Sequence, residues 1–312
     1  MANDSSWDPV HLPSQAGKTI VVTGGNAGIG YFVSEQLAGA GARIILASRS
    51  KDRADAAAAS IRARVPGAQV DFVKLDLSSL GSIREAAEKI RKRGPIDVLI
   101  NNAGATSGSN ERVVTEDGLE FVVGSNAFGP YALTALVFPA LAPSARVVGL
   151  GSMATRLVRL DPANLQSQDG RFNFFRAYGY SKHAMHAFSL ELQRKLTAAG
   201  SSIESLLAHP GFAIDTLAPR RPGINDGLSF GKRLSDVASA VASHGKDRGA
   251  WPVVRAAIDP NAHGGEFYGP KRSVTGKPVL VDPVDSSSSE EFGAEFWRQA
   301  EEATGIRFEP AS

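Results

Sequence analysis

KTIVVTGGNAGIG, residues 18–30, decides the fold. Its first six residues are mostly apolar and β-branched, as a fully buried strand requires. The chain then runs directly into a loop carrying Gly24, Gly28 and Gly30, and from there into a helix reaching about residue 39. Side chains are excluded where a backbone must lie against a phosphate. The N-terminus of a helix also presents unpaired N–H groups and a positive dipole end to an anion. Gly24, Asn26, Gly28, Ile29 and Gly30 are therefore expected to hold the diphosphate of a dinucleotide. The spacing is G-x-x-x-G-x-G rather than G-x-G-x-x-G. A tight turn that needs glycine for conformation alone reads the same way, and the strand-then-helix context favours the nucleotide.

Working outward, short apolar segments at residues 42–47, 69–75, 96–100, 145–150, 203–208 and 265–269 read as further strands. Helical segments at 51–64, 79–93, within 115–141, and at 178–199 separate most of them. That alternation predicts an α/β Rossmann fold, a doubly wound parallel sheet of about seven strands with helices on both faces. Residues 1–17 read as an N-terminal arm and 18–285 as a single catalytic domain. Residues 286–312 read as a C-terminal helical extension that opens on an exposed serine run. Two long connections, 153–177 and 211–230, interrupt the rhythm and are the expected substrate loops.

Composition narrows the functional classes. The 34 basic and 32 acidic residues leave a net charge of +2, which gives no reason to expect nucleic acid or an anionic membrane as partner. The absence of cysteine excludes disulfides, thiolate catalysis and thiolate zinc sites. The N-terminus is polar and acidic, unlike a signal peptide. No apolar run is expected to reach the length of a membrane span, so a soluble, cytoplasmic protein is the default.

The end of the second strand distinguishes nicotinamide nucleotides, because an acid there binds a ribose 2′-hydroxyl and a base accommodates a 2′-phosphate. Here it reads Ala47-Ser48-Arg49-Ser50, with no acid. Arg49 and Ser48 are expected to bind a 2′-phosphate, and hence NADP(H); the rival reading of Arg49 is a solvated residue at a helix start. Asp76 and Leu77 follow the third strand and would meet the adenine edge, although Asp76 also suits a helix N-cap. Asn102, Ala103 and Gly104 follow the fourth and would shape the turn beside the adenosine ribose.

A proton donor or acceptor is expected at Tyr178. A free phenol is a poor base at neutral pH, and a nearby ammonium stabilises the phenolate. Lys182 stands four residues on, one helical turn along the same face, whereas Tyr180 points elsewhere. Ser152, just after the fifth strand, could hold the substrate oxygen; a turn serine capping a peptide is the alternative. Asn126 lies in the long helix, where it could bend the helix and bind a water linking Lys182 to solvent, or be a satisfied interior amide.

Read in order, TGGNAGIG at 23–30, DL at 76–77, NNAG at 101–104, Asn126, Ser152, YGYSK at 178–182 and HPG at 209–211 resemble the short-chain dehydrogenase/reductase family. The finer pattern is similar to its retinol dehydrogenase-like branch, through ASR at 47–49, residues 117–136, RAYGYSKHA at 176–184, GGEFYGP at 264–270 and residues 295–308. The resemblance implies a tetrad of Asn126, Ser152, Tyr178 and Lys182, with Tyr178 as acid/base and with Tyr178 and Lys182 both beside the cofactor. It places Pro210 and Gly211 near the nicotinamide. It implies a homodimer or homotetramer through the helix after Tyr178, a surface that the last helix could cover instead. Three departures stand out. Gly149 and Gly151 replace the common Asn and Ser, Ala127 and Pro130 follow Asn126, and Thr216 comes one residue late for a carboxamide contact.

The main reading is an NADP(H)-dependent carbonyl reductase or alcohol dehydrogenase acting on an apolar, polycyclic or polyketide-like ketone or alcohol. Its rivals are an NADP(H)-binding sensor or scaffold without turnover, and an epimerase or dehydratase working through a transient ketone. Leu157, Phe172, Phe174, Phe175, Phe212 and Leu217, with Arg156, Arg159, Arg220 and Arg221, are expected to face substrate or simply to pack the loops. His183 and His186 lack a third ligand, so no metal is expected.

Overall fold

The computed structural model describes residues 7–225 and 243–310. Strands β1 (Thr19–Thr23), β2 (Arg43–Ser48), β3 (Val70–Lys74), β4 (Ile96–Asn101), β5 (Leu141–Leu150), β6 (Glu204–Ala208), β9 (Phe267–Pro270) and β10 (Pro278–Leu280) form one sheet. Their order is β10-β9-β6-β5-β4-β1-β2-β3. The first seven pair in parallel and β10 joins β9 antiparallel. The sheet thus has eight strands rather than about seven, because Pro278–Leu280 adds an edge that the sequence pattern does not announce. The strand order reverses between β1 and β4, which opens the crevice where α/β sheets bind ligands.

Helices α1 (Gly28–Gly39) and α2 (Lys51–Arg64), with the helix Trp251–Ile258, cover one face. Helices α3 (Leu80–Arg91), α4 (Phe121–Val123), α5 (Gly129–Val137) and α6 (Phe174–Ala198) cover the other. The helix Glu290–Thr304 completes that second face, burying Phe292, Phe296 and Trp297. Tyr131, Phe188, Phe296, Trp297 and Phe308 meet in one aromatic cluster. The last helix therefore lies against α6, on the flank bearing Phe188 and Lys195, whose ammonium sits 4.8 Å over the Trp297 ring. At the other end of the chain, Trp7 of the arm is buried against the α1 face.

Three expectations are corrected. The serine run is not simply exposed: Ser287 is fully buried, with its hydroxyl 2.6 Å from His183 Nδ1. The segment Phe121–Ala140 is long and apolar enough to span a membrane by length and composition; most of it is buried inside the fold. Finally, β7 (Ala213–Ile214) and β8 (His244–Gly245) form a separate parallel pair. Of the expected substrate loop at 211–230, residues 226–230 lie outside the described residues.

Candidate active site

The glycine loop is shaped by contacts that no side chain could share. Gly24 and Gly28 adopt φ of +66° and +56°, the left-handed region that favours glycine. A Cβ on Gly30 would collide with Asn102 Nδ2 and the Gly24 carbonyl. Asn102 in turn donates to the Thr23 carbonyl at 2.7 Å, and Ala103 N–H to Thr23 Oγ1 at 2.9 Å, so the turn after β4 braces the turn after β1. Helix α1 opens on Gly28 with no side-chain cap from Ala27, and Asn26 and Ile29 flank that start.

These residues fit a dinucleotide. The buried Ser48 hydroxyl at the end of β2 has no hydrogen-bond partner, and Arg49 beside it is exposed with no ion pair among the described residues. Asp76 is not an N-cap, since Ser79 caps α3. Its Oδ1 accepts from Ser78 N–H and hydroxyl, and Leu77 is buried beside it. Gly104 packs against Asn126, whose amide holds both the N–H and the carbonyl of Ala105, at 2.7 and 3.1 Å.

Asn126 sits in a π turn, Gly124–Phe128, between α4 and α5. Gly129 N–H reaches back five residues to Gly124, and Pro130 has no N–H to offer four residues back to Asn126. The bend thus follows from Pro130, one of the departures from the family pattern. Asn126 Nδ2 also donates to Ser181 Oγ at 3.0 Å, tying the bend to α6 between the two tyrosines and Lys182.

Tyr178, Lys182 and Ser152 come together at the carboxyl end of β5. Ser152 caps a short turn, accepting from Ala154 N–H at 3.2 Å, and its hydroxyl lies close enough to the Tyr178 phenol to favour the phenolate. Lys182 is 4 % exposed; its ammonium donates to the Leu150 carbonyl at 2.7 Å and lies 5.7 Å from the Tyr178 ring centroid. Burial lowers Lys182 to about 8. Burial also raises the Tyr178 phenol above its ordinary value, with Ser152 pulling the other way.

The glycines at the end of β5, Gly149 within it and Gly151 just after it, have a steric cause. A Cβ on Gly149 would strike Ser189 Oγ and Met185 Sδ, and one on Gly151 would strike His186 Nε2. Helix α6 carries bulk at the positions where it crosses β5, and the strand gives way. Pro210 and Gly211 follow β6; Pro210 carbonyl accepts from His244 Nε2 at 2.7 Å, and Gly211 takes φ +68° under the Val274 carbonyl. Thr216 is partly buried just beyond β7. Among the described residues no cluster of three or more His, Asp or Glu could hold a metal.

Residues 18–218 match the family model described as short chain dehydrogenase. The chain belongs to the short-chain dehydrogenase family. Within it, the relatives place the chain in the retinol dehydrogenase-like branch. It is 33% identical to a polyprenol dehydrogenase of Mus musculus, over 95% of this chain and 87% of that one. It is 34% identical to retinol dehydrogenase 13 of Homo sapiens, over 94% and 87%. A crystal structure of a protein from Mycobacterium paratuberculosis superposes with a TM-score of 0.79 at 33% identity, covering 97% of this chain and 98% of that one. A blue fluorescent protein from a metagenomic library, in complex with NADPH, superposes at 0.60 and 25% identity, covering 81% and 96%.

The residues of the two expected substrate loops lie in different surroundings. Leu157, Phe175, Phe212 and Leu217 are exposed, and Arg156 donates to the Asp282 carbonyl at 3.3 Å. Phe174 instead packs against Gly108. Arg221 turns away to α1, where it forms a two-pronged pair with Glu35 at 2.6 and 2.8 Å. Sequence reasoning missed that pair, and it missed that His183 bridges the Val158 carbonyl (2.8 Å) and Ser287 (2.6 Å). Only the position of His183 next to Lys182 hinted at it.

Proposed function

We propose that this short-chain dehydrogenase interconverts an apolar carbonyl compound and its alcohol with NADP(H). The observation that carries the reading is the meeting of two hydroxyls, from Ser152 and Tyr178, beside the buried ammonium of Lys182. A nicotinamide held there would supply or remove the hydride. Ser152 orients the substrate oxygen and Tyr178 exchanges its proton. A phenol kept protonated by burial is ready to donate to a nascent alkoxide, which suits carbonyl reduction. Lys182 holds positive charge beneath the phenol and the nucleotide ribose, and Asn126 keeps α6 in register with the turn after β4. Among the described residues the Ser48 hydroxyl has no hydrogen-bond partner and Arg49 no ion pair, which supports a 2′-phosphate at the end of β2. The exposed Leu157, Phe175, Phe212 and Leu217 suit an apolar substrate, in keeping with relatives named for polyprenol and retinol.

The test is a pair of variants assayed by NADPH absorbance against apolar aldehydes and ketones. Tyr178→Phe should lower kcat by about 10²–10⁴-fold while nucleotide binding, read by fluorescence, persists. Arg49→Asp should shift the NADPH/NADH ratio of kcat/KM toward NADH by about tenfold or more. Turnover untouched by the first substitution would sink the catalytic assignment; a ratio untouched by the second would sink the nucleotide preference.

A further inference from the structure

Lys246 belongs to no motif and is distant in sequence from the glycine loop, yet it lies over it. A Cβ placed on Gly28 would sit 3.5 Å from Lys246 Nζ, with its Cδ and Cε at 3.9 and 4.0 Å. The whole outer half of the side chain therefore lies across the first residue of α1. That residue opens a helix of twelve residues whose first turn carries no acidic side chain and whose N-cap, Ala27, accepts no N–H through its side chain.

The lysine is built into position. Ala213 pairs with His244 and Ile214 with Gly245, so Asp215 and Lys246 leave the two short strands side by side. His244 Nε2 lies 2.7 Å from the Pro210 carbonyl, and Phe212 accepts from His244 N–H at 3.0 Å. Gln36 of α1 donates to the Asp247 carbonyl at 2.8 Å, which ties the following turn to the same helix. Asp215 Oδ2 holds the ammonium at 2.8 Å, with the lysine side chain 23% and the aspartate 12% exposed. A pair of two-residue strands contributes little core. What it does contribute is a long cationic side chain kept over the loop instead of extended into water, so its ordering is complete before any ligand arrives.

We propose that Lys246 is a further nucleotide-binding residue, contacting the diphosphate that the glycine loop cradles. This rests on the dinucleotide reading of that loop. The diphosphate carries charge to which the helix end supplies only partial positive charge, and the ammonium, already positioned by Asp215, adds a charged donor beside it. Because the diphosphate is common to NADPH and NADH, Lys246 should support both equally, unlike Arg49, which faces the group that distinguishes them.

Binding is measured by fluorescence titration of NADPH and NADH against the unaltered protein, Lys246→Gln and Lys246→Arg, with adenosine 2′-monophosphate as a competitor that lacks the diphosphate. Lys246→Gln should raise Kd for both dinucleotides by the same factor, about tenfold, and leave competition by adenosine 2′-monophosphate unchanged. Lys246→Arg should recover most of the loss. Unchanged Kd in Lys246→Gln overturns the assignment while leaving the loop's reading intact, as does a loss confined to NADPH. An arginine variant as weak as the glutamine variant would make the lysine structural. If the unaltered protein binds neither dinucleotide, the reading of the glycine loop falls and this inference with it.

Discussion

The two halves of the site are built on different physical principles. The nucleotide half, from β1 to β4, is a matter of backbone: glycine torsions, a helix end, and Asn102 bracing Thr23 across the switch point. The substrate half is a matter of side chains reaching over long sequence distances. Arg221 crosses to Glu35, His183 joins Val158 to Ser287, and Arg156 reaches the Asp282 carbonyl. The difference teaches that the first half tolerates almost no variation in residue type at a few positions, whereas the second can be rebuilt around the same catalytic helix. The comparison can be broken by substitutions chosen on each side.

The largest effect is expected on the nucleotide side. Gly30→Ala forces a methyl into Asn102 and the Gly24 carbonyl, both of which are backbone-anchored and cannot retreat. Overpacking of this kind costs about 1–3 kcal/mol, and because the strained atoms are the loop itself, nucleotide Kd should rise by about a hundredfold. Calorimetric titration checks it; binding within about twofold of the unaltered protein would mean that the loop is more pliant than its contacts suggest.

A smaller and more local effect is expected from Glu35→Ala. Glu35 accepts from Arg221 and from the Tyr31 hydroxyl at 2.8 Å, and its removal leaves a guanidinium that is 10% exposed without its carboxylate. Breaking a fully buried pair costs about 3–5 kcal/mol. Here Arg221 belongs to a surface segment that can swing into water, so a loss of about 2 kcal/mol is expected. Hydrogen exchange should rise at residues 218–225 and KM for the carbonyl should increase, with nucleotide Kd nearly constant. Equal losses in both constants would erase the distinction between the halves.

That distinction also explains what the sequence makes legible. Strands β1 to β6 and β9 stand out as short apolar runs, and Tyr178 and Lys182 stand out because helical spacing puts them on one face, whereas Asn126 and Ser152 are legible only through the family resemblance. The π turn follows from Pro130 only once Asn126 is known to be flanked by two helices. The pairs Arg221–Glu35 and His183–Ser287 join residues 186 and 104 positions apart, with no periodicity to betray them. Ser287 sits in a serine run whose composition suggests exposure, and Trp297 and Phe308 in a tail whose amphipathic pattern names a buried face but not its partner. The edge strand β10 has three residues and begins with proline, too short to carry an alternation.

The smallest expected effect lies on the seam between the halves, at His186. Its ring is wedged between Gly151 and Phe267, 1% exposed, and neither nitrogen has a hydrogen-bond partner among the described residues. Burial drives its pKa down to about 3, with His183 and Lys182 adding to the shift. An unfolded histidine titrates at about 6.5, so below that pH the unfolded chain takes up a proton that folded His186 refuses until about pH 3. The unfolded state binds more protons throughout that window, and stability must fall as pH falls through it. His209, lowered to about 4 by burial, adds to the same slope. His183 and His244, also lowered by burial, act in the same direction, so His186→Leu removes one of four contributions and exchanges an imidazole for an apolar side chain of similar size. Between about pH 6.5 and 4.5 the variant should lose about 1–2 kcal/mol less than the unaltered protein, and at pH 7 it should be at least as stable. Urea titrations across that range decide the matter: parallel pH profiles would mean that His186 is hydrogen-bonded or charged in the folded protein, and that Gly151 makes room for more than an inert ring.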